Sequence, residues 1–519
     1  MDTRRSRQLR HNRGAPQIMV PMARRFSMMG ALRAPALQDG SPAVHPACPG
    51  LPAAGCRHPL ADLEANARLG QYEDGIRELF DQIVPVLKEI AGYLPGPDFP
   101  RQAQELFRRR LGFLLPEGPL ENAWVRGLDA GTLYASAIFS ALGVSVGKFA
   151  ARIQAEQSAG DSLDALLVEC GFHAVNISAC ADGRLKGLFP YVLRLPESRL
   201  LRSSAYAGTL FDVDADVQDW QATELRRFRE GYPTTADAPT RYLKVAVYHR
   251  SSLDPNHEGC AAHGSNEKVA VEAALERLEQ FRSAIENAFC CGASTDILLI
   301  GVDTDTDAIR IHVPDAKGQL SPFRYVDNAD LYGKTVGMDA DHARLSVYEA
   351  IRQTSEVSGW GQGEGLPHDG MRRLIATLLI SNLGQIEYVA ERYGGWYPDR
   401  GHGERFVSVG DGFQEIQVRN LAYFARLDTV EEGAADLDVG VKIFRHLNVE
   451  RGLPIPMAVH YRFRSQIPGD RDRVVKKLNR VAQAVRLRYA DLDRRGLLVL
   501  HGSIQDWPMG SPLEEVILA

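Results

Sequence analysis

Apolar positions along the 519-residue chain change their period more than once. From Leu60 to about Gln157 they recur three or four apart. In YEDGIRELFDQIVPVLKEIAGYL, residues Ile76, Leu79, Phe80, Ile83 and Leu87 form one stripe, which predicts helices with a single buried face. Pro85 interrupts the run, because it lacks the N–H that a continuous helix needs. QAQELFRRRLGFLL and LYASAIFSALGVSVGKFAARIQAEQ carry the helical period on. Beyond them, short β-branched runs (HAVNISA, YLKVAVYH, DILLIGVD) alternate with amphipathic stretches such as KVAVEAALERLEQFRSAIENAF. Apolar strands between helices predict an α/β fold, a largely parallel sheet flanked by helices.

The last part of the chain repeats the middle. AYAGTLFDVDADVQDWQATELRRFREG followed by KVAVYH has a counterpart in AYFARLDTVEEGAADLDVGVKIFRHLNVERG followed by PMAVHY. Each is succeeded by a helical stretch and an apolar strand. Ala205 and Ala422, Phe228 and Phe444, and Ala246 and Ala458 stand 217, 216 and 212 residues apart, nearly constant, as an internal duplication requires. Residues 1–57 follow neither period. They carry Arg4, Arg5, Arg7, Arg10, Arg13, Arg24, Arg25 and Arg33 and end in PACPGLPAAGCRHP, which reads as a disordered basic arm. Arg24-Arg25-Phe26 looks a little like a twin-arginine export signal, but Arg33 interrupts the apolar region such a signal needs. The expected organisation is a basic arm (1–57), a helical domain (58–157), a catalytic domain (158–395) and a degenerate second copy without metal ligands (396–519).

The net charge of −6 is mild and gives no case for nucleic acid or an anionic membrane as partner. No uninterrupted apolar segment reads as approaching the roughly 20 residues that span a bilayer, so no membrane is expected. Seven cysteines, an odd number thinly spread, argue against a disulfide framework and for metal ligands or core residues. None follows Cys291, so any cysteine chemistry of the first copy is absent from the second. Cys290-Cys291 ends a helix and reads as core. The acidic run DTDTD after DILLIGV reads as a solvated turn.

Cys180, Asp182 and Arg184 occupy alternate positions just after an apolar run, so in an extended segment they face one side. A thiolate suits a borderline divalent ion such as zinc. Arg184 can grip Asp182 through a bidentate pair that keeps the carboxylate ionised. Cys260 has three histidines nearby, His249, His257 and His263, and a Cys₂His set leaves a fourth coordination position open, as catalytic zinc requires.

With these residues in view, the chain resembles the β-type carbonic anhydrases. Cys180-Ala-Asp182-Gly-Arg184, then a strand-terminal His249 and Cys260, is similar to their zinc motif. The order of arm, helical domain, catalytic domain and degenerate copy resembles more closely the carboxysome shell carbonic anhydrases, a divergent epsilon subclass. GCAAHGS, FCCGAS and IGVDTDTDAIRIHVPD add to that likeness. There are two departures. The β-type pattern has serine where this chain has Gly183, and its compact H-x-x-C is matched literally only by His257 to Cys260, whereas His249 and Cys260 are eleven apart. His249 is preferred as ligand because it directly follows the apolar strand; His257 and His263 remain alternatives.

The resemblance implies interconversion of CO₂ and bicarbonate by zinc-hydroxide attack on CO₂. Cys180, His249 and Cys260 would hold the Zn²⁺. Asp182, restrained by Arg184, would orient the nucleophile. It further implies residence in the carboxysome supplying CO₂ to Rubisco, contact with Rubisco or shell proteins through the basic arm, and a homodimer or higher oligomer. Tyr248 and His263 are unranked candidates for proton relay. The rival reading is a non-catalytic adaptor in which zinc only staples the middle domain.

Overall fold

A computed structural model describes residues 57–518, apart from 94–95, 122–128, 157–162, 196–199, 289–293, 356–368, 428–429 and 508–510 and positions 236, 316, 400 and 414. All but the last residue of the basic arm, and the Cys290-Cys291 pair, lie outside the described residues. The helical period materialises as α1 (Leu63–Asp81), α2 (Ile83–Ala91), α3 (Phe99–Leu111) and α4 (Ala130–Glu156). Asp62 caps α1 by accepting from the Ala65 amide. The break between α1 and α2 falls at Gln82, where Pro85 cannot donate to the Asp81 carbonyl. Ala130–Lys148 of α4 is one unbroken helix long and apolar enough to cross a membrane, which corrects the expectation that no such segment exists. It passes that test as a core helix: Leu133, Ile138 and Leu142 are buried, and the helix packs on α2 and on a strand of the last quarter of the chain.

The middle of the chain runs α5 (Leu163–Glu169), β1 (Ala174–Cys180), β2 (Leu201–Tyr206), α6 (Val213–Arg229), β3 (Arg241–Arg250), α7 (Glu267–Ala288) and β4 (Ser294–Asp303). It continues with β5 (Ile309–His312), β6 (Tyr325–Asp327), α8 (Asn328–Thr335), α9 (Ala340–Ser355) and α10 (Asp369–Tyr393). The strands form one sheet in the order β2-β1-β3-β4-β5-β6, parallel through β4 and antiparallel beyond. β1 is buried along its whole length, as a central parallel strand covered on both faces must be. Leu243, Val245 and Val247 face a core shared with α10, while Tyr242, Ala246 and Tyr248 face Leu278 and Phe281 of α7.

The last quarter builds a second sheet from β7 (Phe406–Gly410), β8 (Ala422–Ala425), β9 (Ile455–Phe463), β10 (Leu498–Asp506) and β11 (Leu513–Val516), with α11 (Val430–Leu447) and α12 (Asp470–Arg488). Its order β8-β7-β9-β10 repeats β2-β1-β3-β4, all parallel, so the duplication is one of topology. The detailed match shifts by one residue. Ala458 packs toward the helical region, whereas Ala246 packs toward α7. Tyr461 of β9 lies on the face that meets α12, packed with Val474, Leu478 and Val481.

The copies meet edge to edge, β2 beside β8. Arg426 donates to Ser204, and the Ala207 amide to Asp436. Arg419 reaches further: its two Nη groups donate to the Thr304 carbonyl at 2.7 Å and the Asp399 carbonyl at 2.9 Å, and its guanidinium stacks on Tyr397. α1 closes the third side, with Tyr72 donating to the Glu415 carbonyl and Arg77 to that of Arg419. Arg419→Ala should therefore cost about 1–3 kcal/mol for each carbonyl left unpaired. Denaturant titration of the purified variant measures this, and an unchanged midpoint would show that Arg419 is no clamp.

Candidate metal centre

β1 and β3 are adjacent and parallel, with Ala179 level with Val247, so their carboxyl ends open side by side, where α/β sheets place ligands. Cys180 is the last residue of β1 and His249 the last but one of β3. The chain then loops through 251–259 and brings back Cys260, which precedes a single 3₁₀ turn, Ala261–His263. All three side chains are buried, and one ligand atom from each lies within 4.8 Å of the others.

Of the alternative histidines, His257 is exposed and paired with Asp254, while the His263 ring meets the Gly208 carbonyl at 2.9 Å. Neither joins the cluster. Tyr248 points to the opposite face, where its hydroxyl meets His312 at 3.2 Å.

The loop that returns Cys260 is held by the acidic turn after β4. Asp305 accepts from the Ser251 hydroxyl at 2.7 Å and the Leu253 amide at 2.8 Å, and Asp303 pairs with Arg250. Asp303, Asp305 and Asp307 are all buried, so the reading of DTDTD as a solvated turn is wrong. Side-chain acceptors that order a neighbouring loop look, in sequence, the same as solvated charges. Burial pushes the Asp307 carboxyl up to about 6, against Arg419 and the hydrogen bonds from Tyr397 and Gln385.

Asp182 caps the turn Gly183–Leu185 and receives three bonds from one residue: the Arg184 amide and Nε on Oδ1 at 2.9 Å each, and Nη2 on Oδ2 at 2.8 Å. Arg184 Nη1 donates to the Glu258 carbonyl at 2.8 Å. Burial alone would raise the Asp182 carboxyl, but Arg184 and His249 outweigh it and hold it well below the usual carboxylate range. Oδ2 also lies 3.2 Å from His249 Nε2. Burial opposes a charge on His249, yet Asp182 and Cys180 push its pKa up to about 9.

Four partners escaped the sequence reading: Glu258, His402, Glu404 and Asn420. Glu404 is buried, and its Oε1 meets His402 Nδ1 at 3.0 Å. The carboxylates of Asp182 and Glu404 and the His402 ring lie within 4.8 Å of one another. The Asn420 amide donates to the Gly183 carbonyl at 2.8 Å from a left-handed conformation (φ 61°) that asparagine tolerates. These contacts explain Gly183. A Cβ there would lie 2.6 Å from Glu404 Cγ and 3.0 Å from the Ala422 carbonyl. Serine is excluded because the second copy occupies its space. The only sequence hint was a histidine and a glutamate set among glycines in GHGER.

Two observations test whether a metal ion fits. The thiols of Cys180 and Cys260 are 3.8 Å apart. Two sulfurs each about 2.3 Å from a tetrahedral ion stand about 3.8 Å apart as well. His249 Nδ1 is buried without a hydrogen-bond partner, so the imidazole is not committed elsewhere through both nitrogens. The hydrogen bond between the thiols, with burial, raises Cys180 well above the ordinary thiol value, and the same bond lowers Cys260. A divalent cation would displace the proton they share.

Comparison with known proteins gives matches over most of the chain. A family described as "Carboxysome Shell Carbonic Anhydrase, catalytic domain" matches residues 162–402. The corresponding C-terminal and N-terminal families match 403–519 and 58–150. The carboxysome shell carbonic anhydrase of Halothiobacillus neapolitanus is 53% identical over 477 residues, covering 92% of this chain and 93% of its own. That of Parasynechococcus marenigrum is 46% identical over 90% of this chain and 80% of its own. That of Hydrogenovibrio crunogenus is 39% identical over 88% and 86%.

The Gly183 contact has a direct test. Gly183→Ser should lower thermal stability, and adding Glu404→Ala should recover part of the loss. If the serine variant melts with wild type, the second copy does not exclude a side chain there.

Proposed function

The chain belongs to the carboxysome shell carbonic anhydrases, and we propose that Cys180, His249 and Cys260 hold a Zn²⁺ ion at which it interconverts CO₂ and bicarbonate. The observation that carries this reading is the convergence of two thiols and an imidazole beside a buried, ionised carboxylate. Zinc held there would supply Lewis acidity, bringing the pKa of a coordinated water toward about 7. The protein's own part follows from the surrounding geometry. Asp182 is ionised and saturated on one side by Arg184, so it acts as an acceptor. Its Oδ2 takes a hydrogen bond from the attacking water oxygen and turns that oxygen's lone pair toward the CO₂ carbon. Arg184 fixes the carboxylate with Oδ2 3.2 Å from His249 Nε2, since rotation would break three hydrogen bonds at once. Burial of all these groups removes competing bulk water and strengthens each electrostatic contact. Burial opposes a charge on His402, but Glu404 outweighs it and raises that pKa to about 9.

The same reading places the enzyme in the carboxysome, where its CO₂ supplies Rubisco. It divides the chain into an arm (1–57) that contacts Rubisco or shell protein, a helical domain (58–157), a catalytic domain (158–395) and a degenerate copy (396–519). Chains associate as a homodimer or larger oligomer. The second copy acts as a built-in partner that covers the catalytic edge.

Metal analysis with CO₂-hydration kinetics tests the centre. Cys180→Ala and His249→Ala should lose both zinc and activity, and His257→Ala should keep both. Asp182→Asn should retain zinc while turnover falls by about 10²–10⁴. Zinc bound without any hydration activity in the wild type would favour the adaptor instead.

A further inference from the structure

α7 and α12 occupy the same place in the two copies, each crossing over between the third and fourth parallel strands. Their charges differ in sign. α7 has three basic and five acidic residues, net −2; α12 has seven basic and two acidic, net +5. α12 turns Val474, Leu478, Val481 and Val485 into the core, so its charge collects on the outer face. Part of it is neutralised: Arg473 pairs with Asp470, Arg488 with Asp438 and Arg471 with Glu514. Lys477 folds inward over the Tyr461 ring. Lys476 and Arg480, about one turn apart and exposed, make no ion pair with any described residue. Leu487 stands out of the same helix at 71% exposure, and Arg494 and Arg495 follow at the turn beyond it.

We propose that this outer face of α12 is a docking surface for an acidic face of another protein. The charge is local, set in a chain of net −6, so it does not serve general solubility. Asp472, Asp491 and Asp493 are interspersed with the cations, which dilutes the face against a densely charged phosphate backbone and suits the carboxylates of an acidic polypeptide. The exposed Leu487 gives such a partner an apolar anchor beside the charges, the arrangement protein interfaces use. The face lies on the side of the second sheet away from the helical region and contributes nothing to the metal centre, so occupation leaves turnover untouched. The inference is independent of the metal chemistry: it rests on the charge asymmetry between duplicated helices.

Full-length protein with Lys476→Glu and Arg480→Glu provides the test, with poly-L-glutamate as the acidic polypeptide probe. Because the basic arm contributes to both proteins, the comparison is between wild type and variant across a salt series. Binding should weaken about tenfold at low salt, with a shallower salt dependence, while CO₂ hydration and thermal stability stay at wild-type values. Lys476→Gln with Arg480→Gln should fall between the two. Equal binding by wild type and variant would overturn the proposal. So would a wild-type preference for duplex DNA or polyphosphate over poly-L-glutamate, which would make the face a polyanion site. Loss of self-association in the variant by sedimentation would overturn it too, identifying the partner as a second copy of this chain.

Discussion

A guanidinium with no access to solvent governs this structure. Arg184 is sealed from water, and a buried cation is tolerated only when its donors are satisfied and its charge is matched. Asp182 supplies the matching charge, and the Glu258 carbonyl takes another donor. Those requirements dictate the tight turn after β1, the path of the loop carrying Glu258 and Cys260, and the presence of a second copy to close the space above Gly183. The ionised Asp182 is thus a product of packing across several hundred residues. Removing water from the site would neutralise an isolated carboxylate; here it strengthens the pair that keeps the carboxylate charged.

Much of this arrangement was legible in the sequence because its signals are local. Cys180, Asp182 and Arg184 do reach one site, but not by strand alternation: β1 ends at Cys180, and a 3₁₀ turn, Gly183–Leu185, folds Arg184 back onto Asp182. The strand-terminal position of His249 singled it out from His257 and His263. The duplicated pattern was readable from helix and strand order, although the alanine match at 246 and 458 set the register one residue off. Equal composition does not specify which face a strand presents. What could not be read depends on distance along the chain. Glu404 and Asn420 act on Gly183 through contacts that no local pattern encodes, so the glycine looked like a departure from the β-type motif. It is instead the complement of a side chain more than 200 residues away. The aspartates of the DTDTD turn misled for a related reason: burial is a tertiary property, and their partners Ser251, Tyr397 and Gln385 lie far off in sequence.

Duplication freed the two halves to diverge under different constraints. At the sheet end where the first copy has its thiols and imidazole, the second has Arg462 bound through both carboxylate oxygens of Glu415, with Gln505 donating to the same carboxylate. The buried ion pair there fills space and balances charge. That half lies against the edge of the first sheet where β8 meets β2, and its outer helix carries net positive charge.

The tie between Gly183 and Asn420 also bears on how the molecule comes into being. Synthesis runs from the amino end, so Cys180, His249 and Cys260 emerge well before Glu404 and Asn420. Until then Arg184 faces a half-built wall, and closing a loop of this length carries an entropic cost that delays the contact. The wall over Gly183 can therefore close only once the final quarter of the chain is in place. A truncated or stalled chain would carry both thiols and the imidazole of the centre and still lack the wall that Glu404 and Asn420 build beside it.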